Sequence, residues 1–157
     1  MQLKNYPFIQ QLSDNDCGVA ALQSIILYYG KYAKYQDLLL SLETNEEGTP
    51  PDRLKDALAQ HGIKYIPLHS CLDELRSALD KGHPSLVLIQ GDRKMYTKYE
   101  DEWDYGHWVV VIGYTKRSII LADPGIGKVL LLTNNEFIKR WHDVDYVNYA
   151  VITQGVS

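Results

Sequence analysis

Cysteine is scarce in this chain: Cys17 and Cys71 are the only two in 157 residues. Two thiols do not build the disulfide framework of a small secreted domain, so the sequence reads as one kept in a reducing, cytoplasmic setting. Phenylalanine is nearly missing as well, 2 against 12 tyrosines. Most aromatic surface therefore carries a polar tip, which suits a groove or a rim. No apolar run is long enough to span a bilayer, and Met1 to Phe8 lacks the apolar stretch of a signal peptide, so no direct membrane insertion is expected. Basic charge is in short supply: 16 Lys and Arg face 20 Asp and Glu, for a formal net charge of −4. The basic clusters, Lys116-Arg117 and Lys139-Arg140, are short. Phosphate binding needs a concentrated basic surface, and the balance speaks against a nucleic-acid partner. Repeats, low-complexity tracts and interdomain linkers are absent too. The length suits one domain over residues 1–157 with a core that needs no staples.

What is present divides into a helical half and a sheet half. Ser13-Asp14-Asn15-Asp16 is suited to capping a helix, and Val19, Ala20, Leu22, Ile25, Ile26 and Tyr29 follow at helical spacing up to a stop at Gly30. Further helices are expected over Tyr35–Leu42, from Pro50 in a first-turn position to Gln60, and over Leu72–Lys81 with Ser70 and Asp73 as a capping pair. Ile63–Leu68 reads as a strand. Ser85–Ile89 is a continuous apolar run, the mark of a central strand buried on both faces. Strands are also expected over His107–Tyr114, Ser118–Asp123, Lys128–Leu132 and Tyr146–Thr153. A helix over Asn134–His142, boxed by Thr133 and Glu136, interrupts them. Helices first and an antiparallel sheet second is an α+β arrangement.

Four residues carry the chemistry. Cys17, in Asp16-Cys17-Gly18, sits where the capping cluster hands over to the first helix. A thiol is a poor nucleophile until it is a thiolate, and unpaired amides at a helix N-terminus favour the negative form. Gly18 leaves space beside the sulfur for a backbone to approach, and at the first turn the thiol points outward from the helix end. Cys71, at another helix start, has no comparable partners and reads as structural. Of the five histidines, His61 and His83 lie in loops, His69 closes a strand and His142 ends a helix. His107 differs, because it opens the apolar strand Trp108-Val109-Val110-Val111-Ile112 at the rim. Asp123, in Ala122-Asp123-Pro124, ends the next strand. A two-residue Lys116-Arg117 turn would demand positive φ, so a five-residue loop over Gly113–Arg117 is expected, setting His107 directly opposite Asp123. The aspartate then accepts from one ring nitrogen and leaves the other to the thiol. Gln11, six residues before Cys17, can offer its amide together with the Cys17 N–H to a developing oxyanion; Gln10 is its rival by one position.

The run Gln11 to Ala20, followed by Tyr28-Tyr29-Gly30, Gly48-Thr49, Gly106-His107-Trp108-Val109-Val110-Val111 and Ala122-Asp123-Pro124, resembles the bacteriocin-processing, double-glycine peptidase family of papain-like enzymes, in order and over nearly the whole chain. The resemblance implies a papain-like fold and a cytosolic domain that cleaves leader peptides after a Gly-Gly or similar small-residue pair. It assigns Cys17 as nucleophile, His107 as base, Asp123 as orienting group and Gln11 as oxyanion donor. It also implies a peptide substrate, such as a bacteriocin-type precursor, and a transporter partner. These residues include no membrane or ATPase portion like that of the family's exporters, so a free-standing relative and an excised domain both fit.

Asp92–Tyr105 is longer than that pattern leads one to expect. Acidic and aromatic, it suits a lid or a substrate-selecting wall. Glu100, Asp101 and Glu102 without His or Cys make a poor metal site, and Gly125 to Gly127 without a following lysine and helix is a turn and no phosphate loop. No metal or cofactor is called for, and the substrate-binding residues are not identifiable. Two other readings use the same residues: a catalytically silent module that binds a peptide or transporter partner, and an amidase or acyltransferase.

Overall fold

The computed structural model describes residues 1–157. Its elements run α1 (Cys17–Tyr28), α2 (Tyr35–Ser41), α3 (Pro51–Gln60), β1 (Ile63–His69), α4 (Leu72–Asp80), β2 (Ser85–Gln90), β3 (Gly106–Tyr114), β4 (Ser118–Asp123), β5 (Lys128–Thr133), α5 (Asn134–Arg140), β6 (His142–Asp143), β7 (Tyr146–Val147) and β8 (Tyr149–Val156). Six strands form one sheet in the order β1-β8-β2-β3-β4-β5, every neighbouring pair antiparallel. The α+β reading holds. No helix is long and apolar enough to cross a membrane.

The core explains why the cleft is rigid. Helix α1 is apolar on nearly every side, with Val19, Ala20, Leu22, Ile25 and Ile26 fully enclosed, as a central helix must be. It packs on β3, while α2 and α3 close around it. Residues of both parities on β2 and β3 are buried, so both faces of the sheet centre are covered. Gly30, at φ +75°, ends the helix region in a conformation that costs other residues strain.

Several boundaries differ from expectation for local reasons. Pro50 is the residue before α3, and Pro51 takes the first helical position. Helix α5 ends at Arg140, because Trp141 leaves helical backbone and gives its indole N–H to the Tyr149 carbonyl. His142 therefore closes no helix; it lies buried on β6. The last strand starts at Tyr149, since Asp145 and Asn148 take positive φ and set Tyr146–Val147 into its own short hairpin with β6. The box of Thr133 and Glu136 forms in both directions. The pair Ser70 and Asp73 does not: Cys71 occupies the cap position of α4, and the Ser70 hydroxyl turns to Glu74.

Candidate active site

The first helix places Cys17 at its opening, yet the capping cluster does not cap it. Asp16 precedes α1 without a side-chain cap bond. Its buried carboxylate turns back instead, accepting from the N–H groups of Leu12 and Ser13, the Ser13 hydroxyl and the Tyr35 hydroxyl, the last at 2.6 Å. The first-turn amides are thus left without a side-chain acceptor, and the positive helix end faces the cleft. Cys17 does not point out into solvent as its place in the sequence implied. It is 7% exposed, and its Sγ accepts the backbone N–H of Trp108 at 3.4 Å. Gly18 also has a different role from the one expected. A side chain there would meet Thr49 Cβ at 2.9 Å and Trp108 Cδ1 at 3.1 Å, so it is these side chains that need the space, not an approaching backbone.

The sheet supplies the other half. His107 opens β3, and its Nε2 lies 2.6 Å from Asp123 Oδ1. The two are not directly opposite. In the ladder Val110 faces Ala122 and Val111 faces Leu121, with an irregularity before Gly113. Continued outward, that register sets residue 125 across from His107, and Asp123 is its diagonal neighbour. A Cβ on Gly125 would lie 3.6 Å from the ring, in keeping with that register. The loop between β3 and β4 is also shorter than expected, Thr115–Arg117, because β3 runs on through Gly113 and Tyr114.

Asp123 is itself fixed, since the Gly125 N–H donates to the same Oδ1 at 2.8 Å. Gly125 to Gly127 forms the anticipated turn, with the Gly127 N–H bonded to the Asp123 carbonyl. The His107 and Asp123 side chains are only 17% and 12% exposed, so their charges act on each other through little solvent. Burial alone would lower the His107 pKa. Hydrogen bonding of the protonated ring to the Asp123 carboxylate and the Cys17 side chain, with the negative charges there, outweighs it and raises the pKa to about 9. Burial likewise pulls Asp123 upward, and His107 outweighs it, holding the carboxyl below its ordinary value. With Nε2 committed to Asp123, Nδ1 is the ring nitrogen left for the thiol. Cys17, His107 and Asp123 all line one cleft, and the imidazole–carboxylate contact is the direct bond among them.

Gln11 lines the same cleft. Its backbone N–H is pinned to the Pro124 carbonyl at 2.9 Å, its side-chain Nε2 donates to the Ser13 carbonyl at 2.7 Å, and its Oε1 is buried with no partner. Gln10, the rival, packs against Gly127 instead. Cys71, read as structural, is exposed and bonds to Glu74 at the start of α4, away from the cleft.

The cleft between the helices and the sheet holds about 1080 Å³. One wall comes from the Asp92–Tyr105 segment through Trp103, Asp104 and Tyr105. This segment is closed at its neck by a bond from Gly91 N–H to the Tyr105 carbonyl. At its centre is Glu102, 1% exposed, which accepts from the Lys94 ammonium and from the N–H groups of Lys94, Trp103 and Asp104. The bonds from Lys94 hold its carboxyl down to about 2. Trp103 packs against His142 with the rings tilted, their centres 4.4 Å apart. Three contributors had little signal in the sequence: Tyr35, which reaches Asp16 from another helix; Gly91, where a Cβ would stand 2.9 Å from His107 Cβ; and Gly106, where one would meet the Asp143 carboxylate. No group of three or more His, Cys, Asp or Glu side chains is arranged to hold a metal ion.

Known proteins resemble this chain in sequence and in fold. The Peptidase C39 family model matches residues 5–147. The lactococcin-A transport/processing ATP-binding protein LcnC of Lactococcus lactis subsp. lactis is 27% identical over 144 residues, 90% of this chain. The chain spans only 18% of that protein's length. Among solved structures, a C39-like peptidase from Bacillus anthracis superposes with a TM-score of 0.80 at 21% identity, covering 99% of this chain and 98% of that one. A double glycine motif protease from an AMS/PCAT transporter, in complex with the leader peptide, gives 0.73 at 18% identity, covering 99% and 94%.

Proposed function

The chain belongs to the Peptidase C39 family, and from that premise we propose that it is a cysteine peptidase that cuts a peptide after a Gly-Gly-type small-residue pair, with Cys17, His107, Asp123 and Gln11 as its machinery. The observation that supports this is the placing of Cys17 and His107 in one cleft, with the His107 Nε2 held 2.6 Å from Asp123 Oδ1. The Cys17 proton passes to His107 Nδ1, and Asp123 stabilises the resulting imidazolium. The sulfur bonds to the scissile carbonyl carbon, whose oxygen becomes the oxyanion. A Gln11 amide N–H and a first-turn backbone N–H of α1 stabilise it, each such donor worth about 3 kcal/mol in the transition state. Collapse breaks the C–N bond, and His107 gives its proton to the leaving amine. Water, losing a proton to His107, then displaces the sulfur from the thioester and frees the new carboxylate.

The substrate reading rests on the relatives. One is a double glycine motif protease solved with a leader peptide, and another processes and transports lactococcin A. A precursor peptide as substrate, an exporter as partner, a cytoplasmic setting and a single catalytic unit over residues 1–157 follow from the same analogy. The test is cleavage of a precursor peptide with a Gly-Gly leader by the chain and by Cys17→Ala. Activity is expected at the Gly-Gly bond in the first and none in the second. Full cleavage by Cys17→Ala would end the assignment, and modification of the peptide without hydrolysis would point to acyl transfer instead.

A further inference from the structure

The residues around Gln11 form a relay that no single sequence position shows. Tyr35 on α2 donates its hydroxyl to Asp16 Oδ2 at 2.6 Å. The other donors to that carboxylate are the N–H and hydroxyl of Ser13, at 2.8 and 3.1 Å, and the Leu12 N–H at 3.2 Å. The Ser13 carbonyl in turn accepts the Gln11 side-chain amide at 2.7 Å. Three hydrogen-bonded steps therefore connect helix α2 to the side-chain amide of Gln11, which lines the cleft.

We propose that Asp16, braced by Tyr35, is a positioning residue for the oxyanion site: it fixes Ser13, whose carbonyl orients the Gln11 amide and leaves its second N–H for the developing charge. The inference rests on the reading of Gln11 as oxyanion donor. Three features support it. Asp16 is 2% exposed, so its bonds are shielded from water and cost more to lose than surface bonds. It spends no bond on capping α1, although it stands at the cap position. The Gln11 loop is tied on its other side to Pro124, next to Asp123, so the Asp16 bonds remove the remaining freedom of a segment already held at one end. Preorganised donors are effective because they need no reorganisation during reaction.

The experiment compares Tyr35→Phe, Asp16→Asn, Gln11→Ala and the Tyr35→Phe/Gln11→Ala double variant. Each is assayed for kcat and KM on a fluorogenic Gly-Gly peptide and for the rate of Cys17 alkylation by iodoacetamide. Alkylation displaces iodide at a saturated carbon and forms no oxyanion, so it reads the thiol without reading Gln11. Gln11→Ala is expected to lower kcat by roughly 10²–10³-fold, and Tyr35→Phe by about tenfold, the share of one hydrogen bond to a charged group. KM and the alkylation rate should stay at the wild-type level in both. Adding Tyr35→Phe to Gln11→Ala should cost nothing further, because both act on one group. Should Asp16→Asn fail to fold, Tyr35→Phe, which keeps the ring, decides alone. A parallel fall in kcat and alkylation, or losses that multiply in the double variant, would overturn the tether. Wild-type kcat in Tyr35→Phe beside an impaired Gln11→Ala would sink the tether alone, whereas wild-type kcat in Gln11→Ala would remove the oxyanion reading with it.

Discussion

Replacing Asp123 by asparagine removes the charge that keeps His107 protonated and leaves the shape of the site nearly intact. Raising the imidazole from 6.5 to about 9 corresponds to roughly 3 kcal/mol in favour of the charged ring. Burial works against that figure, so the partners supply more than the net, and Cys17 shares the task with Asp123. Because the folded pKa lies above the unfolded one, this contribution to stability is complete below about pH 6.5 and is lost as pH rises through about 9. In Asp123→Asn burial regains its weight, and the alkaline limb of kcat/KM should move from near 9 to below about 7. Cys17 and His107 titrate as a pair, so the limb reports a property of both. The assay is hydrolysis of a fluorogenic Gly-Gly peptide from pH 5 to pH 11, with urea unfolding at pH 6 and pH 10 alongside. Asp123→Asn should be less stable than wild type at pH 6, and the gap should narrow by pH 10. An alkaline limb that stays in place, or a stability gap that widens with pH, would refute the claim that Asp123 sustains the imidazolium.

Three further perturbations probe the frame around the site. Gly91→Ala puts a methyl 2.9 Å from His107 Cβ and should displace the ring, lowering kcat by up to about 10²-fold with little change in melting temperature; the two measured together separate misplacement from unfolding. Glu102→Gln should lower the melting temperature at pH 7. The folded Glu102 carboxyl is held to about 2, so the deficit should shrink as pH falls from about 4.5 through about 2, and a deficit constant over that range would contradict a stabilising ion pair between Glu102 and Lys94. Thr133→Ala removes one side of the capping box on α5 and should cost about 1 kcal/mol in urea unfolding, with no effect on kcat.

The residues legible in the sequence are those whose identity states their chemistry. A cysteine at a helix opening, a histidine at the rim of an apolar strand and an aspartate at the end of the next strand suggest their proposed roles through local pattern alone. The element list was readable for the same reason, since Ser85–Ile89 and the α1 series carry their burial in their periodicity. Register was less legible. Setting His107 opposite Asp123 requires the paired ladder to end at Ile112 and Ser118, whereas the pairing continues through Gly113 and Tyr114 beyond a register shift after Val111.

Asp16 was misread for a physical reason. Local rules assign a buried Asp before a helix to the helix amides, because those are the nearest unsatisfied donors. In the folded chain the Ser13 and Leu12 amides and the Tyr35 hydroxyl compete for the same carboxylate, and they win. The result suits the proposed role of Cys17 better than a cap would. A carboxylate bonded to the first turn would offset the positive helix end that the site presents to developing negative charge. Turned back into the loop, with four donors around it, the same charge is absorbed where it does not face the reacting carbonyl. The pairing depends on Tyr35, 19 residues away in sequence, and no local pattern around Cys17 contains it.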